Sequence, residues 1–184
     1  MRRWKVLKST ELLKARLFRL RTDQCELPDK RVMPSYYVME FPDWVNIVPV
    51  TTDKQMILIE QYRHAGGETY IEVPGGATHG PDEDPQDAGA RELLEETGYE
   101  SSEWIYCGYH SPNPALQDNK LHTYLALNCR QVSAPQLDPF EDLTVKLMPV
   151  KDALALWSEG GMKHSLISAS IALSLRFLKQ KGVV

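Results

Sequence analysis

Short stretches rich in apolar and aromatic residues, bounded by polar and turn-forming positions, recur along the chain and read as strands. Ser35–Phe41 (SYYVMEF) is aromatic-rich and reads as a strand. Trp44–Thr51 and Gln55–Tyr62 read as strands around the turn Thr52-Asp53-Lys54, and Pro49 makes the first an edge strand or a bulged one. Thr69–Val73 is a short strand stopped by Pro74-Gly75-Gly76. Glu103–Gly108, Leu121–Cys129 and Thr144–Met148 complete the strand pattern. Near the start, Lys14–Leu20 suits a strand, and 22–34, polar with two prolines, reads as a loop or linker. Lys151–Ser158 and Ser165–Lys179 carry the helical period. Strands and helices intermixed on one chain predict an α/β or α+β fold with a mixed sheet.

The clearest helix spans Asp84–Thr97. Asp84 is a good N-cap, Pro85 occupies the first helical position and Gly98 suits the C-cap. On a helical wheel Ala90, Leu93, Leu94 and Thr97 share one side. Glu92, Glu95 and Glu96 share the other within an arc of roughly 100°, which predicts that Glu96 points away from the core. Like charges at this spacing destabilise a helix by a few tenths of a kcal/mol per pair. Arg91 can answer Glu95 or Asp87, and the other carboxylates lack a sequence-local partner. A hard divalent cation would relieve the repulsion, because Mg²⁺ favours carboxylate oxygen and water. The bland alternative is a solvated acidic face.

Composition changes the picture little at first. With 184 residues, 42% apolar and 25% charged, the chain fits one globular domain, or one domain plus an arm. Its net charge of −4 argues only against a dedicated nucleic-acid binder. The distribution says more. Residues 1–21 hold eight basic side chains and one acidic, whereas 82–100 hold eight acidic and one basic. Three scattered cysteines, Cys25, Cys107 and Cys129, without a Cys-x-x-Cys, fit a reducing cytoplasm rather than a disulfide framework. No apolar run approaches a membrane span, and Met1-Arg2-Arg3 is followed by no signal-like apolar stretch.

Residues 75–99 read GGATHGPDEDPQDAGARELLEETGY. This segment resembles the signature of the Nudix hydrolases, G-x5-E-x7-R-E-U-x-E-E-x-G-U, with U a bulky apolar residue. Glu83, seven residues, then Arg91 to Tyr99 follow the pattern. The departure is at the start: Gly76 lies seven residues before Glu83 instead of six, so the loop at 77–82 carries one inserted residue. The box runs from about 76 to 99, within a Nudix domain at 41–184 preceded by an arm at 1–40.

The resemblance implies an α/β/α sandwich around a mixed sheet and hydrolysis of a diphosphate linked to another moiety. It implies Glu92 and Glu96 as metal ligands, Glu95 as a further ligand or support, and the Gly75 carbonyl as another ligand. Arg91 would orient the glutamates and Glu83 would be structural or an outer ligand. The metal would be Mg²⁺, with Mn²⁺ possible and more than one ion during turnover. Gln61-Tyr62-Arg63 followed by Glu72-Val73-Pro74-Gly75-Gly76, with Pro114 fifteen residues past Tyr99, is similar to the ADP-ribose pyrophosphatase-like branch. That branch implies a nucleoside diphosphate sugar such as ADP-ribose or GDP-mannose as substrate.

Arg63 is then the candidate diphosphate contact, since a guanidinium fork suits phosphate. Trp44 and Tyr37, with Tyr36, are candidates for stacking on a nucleobase. The catalytic base implied by this branch is Glu141, in the loop Asp138-Pro139-Phe140-Glu141-Asp142, with Glu95 competing. His64 falls at a pocket edge, and His110 and His122 receive no role. Similar enzymes dimerise through such an arm, whose basic charge would also attract an anionic substrate. The alternatives within the resemblance are nucleoside triphosphates, dinucleoside polyphosphates or capped RNA as substrates, or a non-catalytic sensor. Retention of all three box glutamates argues against the sensor.

Overall fold

The computed structural model describes residues 3–80 and 82–184. Pro81 of the inserted loop and Met1-Arg2 of the basic arm lie outside the described residues. The chain divides into two compact units, Asp43–His110 with Leu121–Val184, and the residues up to Pro42 with Ser111–Lys120.

The larger unit is built on β4 (Trp44–Thr51), β5 (Gln55–Arg63), β6 (Glu68–Glu72), β7 (Gly75–Ala77), β8 (Tyr99–Glu100), β9 (Glu103–His110), β10 (Leu121–Gln131) and β11 (Leu143–Pro149). These eight strands form one sheet whose main path runs β11-β5-β4-β10-β8. It is mixed: β4 runs parallel to β10 and antiparallel to β5 and β7. Helix α1 (Pro85–Thr97) covers one face, where Ala88 and Leu93 pack with Val45, Ile47, Ile57 and Ala126. Helices α2 (Val150–Ser158) and α3 (Ser165–Gln180) supply Ala153, Ile167, Ile171 and Leu178 to a second cluster with Val48, Val50, Met56 and Leu58. Alternate residues of β4 therefore serve opposite layers, the α/β/α sandwich that the resemblance implied. Burial of each such Val, Leu, Ile or Met side chain contributes about 1.5–3 kcal/mol.

β4 is an interior strand, so Pro49 does not mark an edge. The bulge alternative fits better: Pro49 pairs with Ala126, and the β4–β10 register then slips before resuming at Thr51 and Cys129. Asn128 absorbs the slip with a left-handed φ of 56°.

The smaller unit is a three-stranded antiparallel sheet of β1 (Lys5–Lys14), β2 (Arg19–Glu26) and β3 (Val32–Glu40), with β2 central. Two expectations fail here. Lys14–Leu20 is not one strand, because the chain reverses between Ala15 and Phe18, whose backbones hydrogen bond at 2.9 Å. Residues 22–34 are not a linker: β2 continues to Glu26 and β3 begins at Val32, joined by a turn with Lys30 at φ 73°. Every residue of β1 is exposed, so burial imposes no alternation on its sequence. Residues 111–120, with Pro112 and Pro114, belong to this unit, where Tyr36 Oη donates to the Ala115 carbonyl and the Met39 N–H to the Leu116 carbonyl.

Candidate active site

Helix α1 begins as its sequence dictates. The Asp84 carboxylate accepts the Gln86 N–H at 2.8 Å, Pro85 follows, and Gly98 closes the helix at φ 75° with its N–H on the Leu94 carbonyl. The buried face, however, is Ala88, Gly89, Leu93, Glu96 and Thr97. Ala90 and Leu94 are exposed, and Glu96 points inward, contrary to the wheel expectation. A carboxylate has replaced an apolar residue at a core position of an amphipathic helix. Such a substitution is costly without a partner.

Glu96 Oε2 accepts the Gly75 N–H at 2.9 Å, and among the described residues no cationic side chain stands at ion-pair distance from it. Burial pushes its pKa up to about 8, with the charges of Glu92 and Glu141 adding to the rise. Glu92 is also pushed up by burial, partly offset by Arg91. Its carboxylate lies where a side chain on Gly76 would stand, so a Cβ at that position would displace it. Glu95 is half-exposed on the same helix.

Arg91 ties these groups together. Its Nη1 donates to Glu92 at 2.9 Å and to Glu95 at 3.1 Å, its Nε to Glu83 at 3.3 Å, and its Nη2 to the Ala77 carbonyl at 3.1 Å. Glu83 in turn accepts the His79 N–H, and that bond holds its carboxylate below the usual range. The loop before α1 is thus held at Ala77 by Arg91 and at His79 by Glu83. Arg91 pairs with Glu95 of its two expected partners and takes Glu83 and Glu92 in place of Asp87. Among the described residues, no three carboxylate, imidazole or thiol groups converge on one point, and Arg91 bridges Glu92 and Glu95.

On the α3 side of the sheet lies a cavity of about 580 Å³, within the usual size for a small-molecule site. Trp44, Arg63, Gly75 and Gly76 line it, as do Tyr70, Glu72, Lys163 and His164. Gly75 and Gly76 are shared: they wall the cavity and touch Glu96 and Glu92. Arg63 grips the fully buried Glu72, Nε to Oε1 at 3.1 Å and Nη2 to Oε2 at 2.5 Å. His164 Nδ1 lies 3.2 Å from the same Oε1. Burial alone would raise the Glu72 pKa, but the neighbouring His164 imidazole and the paired Arg63 guanidinium outweigh it and hold the carboxyl below its ordinary range.

Of the residues singled out in the sequence, the structure brings Trp44, Arg63 and Gly75 to the cavity and Glu92, Glu95 and Glu96 to the adjoining helix. Tyr37 lies on β3 of the smaller unit, half-exposed. Glu141 sits in the β10–β11 loop, where its carboxylate accepts the Asp138 N–H at 3.0 Å and its charge is felt by Glu92, Glu96 and Arg63. Sequence reasoning assigned no part to Glu72 or His164. Glu72 had a signal, as the first residue of the Glu72-Val73-Pro74-Gly75-Gly76 pattern that resembles the branch, but no role was attached to it. His164 had none, since only the fold brings α3 to β6.

The family model described as NUDIX domain matches residues 41–166, and one described as the nucleoside diphosphate sugar hydrolase N-terminal domain matches residues 4–39. An ADP-ribose pyrophosphatase of Mycobacterium tuberculosis (strain ATCC 25618 / H37Rv) is 28% identical over 91% of this chain and 81% of its own. A methanol dehydrogenase activator of Bacillus methanolicus is 27% identical over 82% and 80%. A crystal structure of an ADP compounds hydrolase superposes with a TM-score of 0.86 at 22% identity, covering 100% of this chain and 98% of that one, and establishes the fold. The box residues, the sandwich that presents them and the family match over most of the chain agree: this protein belongs to the NUDIX hydrolase family.

Proposed function

We propose that the protein hydrolyses the diphosphate bond of a nucleoside diphosphate sugar, ADP-ribose or GDP-mannose being the type, to a nucleoside monophosphate and a sugar phosphate. One observation carries this reading: a cavity holding Arg63 meets a carboxylate helix at the shared Gly75-Gly76 backbone. A diphosphate crossing that backbone would leave its organic portion in the cavity and its anhydride beside the carboxylates. The names of two relatives, both ADP-ribose pyrophosphatases, support the same substrate class.

A divalent metal fits the residues present. The buried Glu96 carboxylate has one N–H donor and no counter-cation among the described residues, and the donor set is all oxygen, the chemistry of Mg²⁺ or Mn²⁺. Glu92, Glu96, Glu95 and the Gly75 carbonyl would hold it, with more than one ion engaged in turnover. Bound there, the metal supplies neutralisation of phosphate oxygens and a more acidic water. The chain's own groups do the rest. Arg63 holds the diphosphate, Arg91 keeps the helix carboxylates oriented, and Trp44 flanks the organic moiety. Glu141 takes the proton of the attacking water, with Glu95 the competing base. A homodimer formed through the N-terminal strands, with Tyr37 as a nucleobase contact, and a cytoplasmic location belong to this reading. Among the described residues no helix is long and apolar enough to cross a membrane.

Incubation with ADP-ribose and with GDP-mannose in Mg²⁺, followed by phosphatase-sensitive phosphate release, tests the reading. Folded protein that turns over neither sugar nucleotide would overturn it.

A further inference from the structure

Arg63 is bound to Glu72 by two hydrogen bonds. It lines the same cavity as Gly75, whose N–H donates to Glu96 at 2.9 Å. A long, half-exposed arginine on that wall, with a buried carboxylate on the neighbouring loop amide that has no cation among the described residues, has a competing place to go. If it went there, the guanidinium would neutralise the group that a metal requires and would leave the cavity without its anion contact. What opposes this is the bidentate pair with Glu72, whose Oε1 is also approached by His164 Nδ1 at 3.2 Å. His164 itself is braced by an edge-on contact with the Tyr70 ring, 6.1 Å between centroids.

We propose that Glu72, steadied by His164, is a positioning residue that holds the Arg63 guanidinium in the cavity and off the Glu96 carboxylate. This rests on the metal-dependent reading of the site and adds a division of labour to it. One buried carboxylate keeps the arginine for the diphosphate so that the other remains available to the cation. A two-point carboxylate grip suits the task, because guanidinium and carboxylate match as planar forks.

The test is Mn²⁺ binding by the full chain, read from the electron paramagnetic resonance of free Mn²⁺ without substrate. Glu72→Gln weakens binding about tenfold, the size of effect that supporting groups around a metal site exert. Adding Arg63→Ala to that variant restores binding to within about threefold of wild type, because the competing cation is gone. His164→Gln, at a partly exposed side chain, gives a smaller loss in the same direction and serves if Glu72→Gln fails to fold. In turnover, folded Glu72→Gln raises KM for ADP-ribose more than it lowers kcat. Unchanged Mn²⁺ affinity in folded Glu72→Gln or His164→Gln overturns the proposal alone. A double variant as weak as Glu72→Gln also overturns it, since the loss is then structural. Wild-type protein that binds no Mn²⁺ overturns the metal-dependent reading and this proposal with it.

Discussion

The Gly75 amide donates to the Glu96 carboxylate across 2.9 Å, joining the loop that walls the cavity to the helix that carries the acidic residues. Glu96 is a core position of α1 occupied by a carboxylate, at a cost to the metal-free fold. Its raised pKa means that the folded state favours the protonated form. The associated stability is fully present below the unfolded value of 4.5 and is lost as pH rises through about 8. Glu96→Gln therefore keeps or raises the melting temperature in chelator, and its advantage over wild type widens from about pH 5 to about pH 9. The same change lowers turnover at saturating Mg²⁺ by about 100-fold or more. Thermal scans across pH and steady-state rates check the two halves.

Glu72 titrates with the opposite sign. Its pKa is held below the ordinary 4.5, so its contribution is present above that value and is lost as pH falls through the folded one. The stability gap between wild type and Glu72→Gln is accordingly widest near neutrality and narrows from about pH 5 to about pH 3. Denaturant midpoints at several pH values measure it; a gap that stays constant into acid would contradict the pairing with Arg63 and His164.

The two glycines at the junction fail differently when substituted. A side chain on Gly75 would meet the Val45 carbonyl, fixed backbone of β4, so Gly75→Ala pries β7 from its partner and costs about 1–3 kcal/mol. A side chain on Gly76 would meet the Glu92 carboxylate, the far end of a flexible chain. Gly76→Ala thus leaves the melting temperature nearly unchanged and lowers activity by displacing Glu92. Equal destabilisation by both changes would show that Glu92 is not what Gly76 accommodates.

On the proposed reading, Glu141 is the base and Glu95 its competitor. Glu141→Gln lowers kcat by about 100-fold with little change in Mn²⁺ affinity, as loss of a general base would. Glu95→Gln, at a half-exposed ligand or support, acts more on metal affinity than on kcat. A kcat loss larger for Glu95→Gln than for Glu141→Gln would move the base to the helix.

Much of this fold was legible because its strands are short apolar runs bounded by turn residues and its main helix is capped by Asp84, Pro85 and Gly98. The box glutamates were legible from spacing. What escaped followed from tertiary context. The wheel assigned Glu96 to solvent because hydrophobicity alone defines its apolar side, whereas the fold turns Gly89, Leu93 and Glu96 inward together. Pro49 was read as marking an edge strand or a bulged one, and a register slip opposite Asn128 lets an interior strand absorb it, in keeping with the second alternative. Of the N-terminal strands, β3 was read in place, whereas β1 was missed because it buries none of its residues and so carries no burial pattern. The grip of Glu72 on Arg63 joins β5 to β6, and His164 arrives from the start of α3, a meeting that no local pattern encodes.

The most direct test of the central claim is the rate of ADP-ribose hydrolysis by the full chain, with Mg²⁺ and with chelator, beside Glu96→Gln as the control. The account predicts AMP and ribose phosphate from wild type in Mg²⁺, no product in chelator, and a rate for folded Glu96→Gln lower by about 100-fold or more. Hydrolysis that persists in chelator, or that survives Glu96→Gln at the wild-type rate, would contradict it.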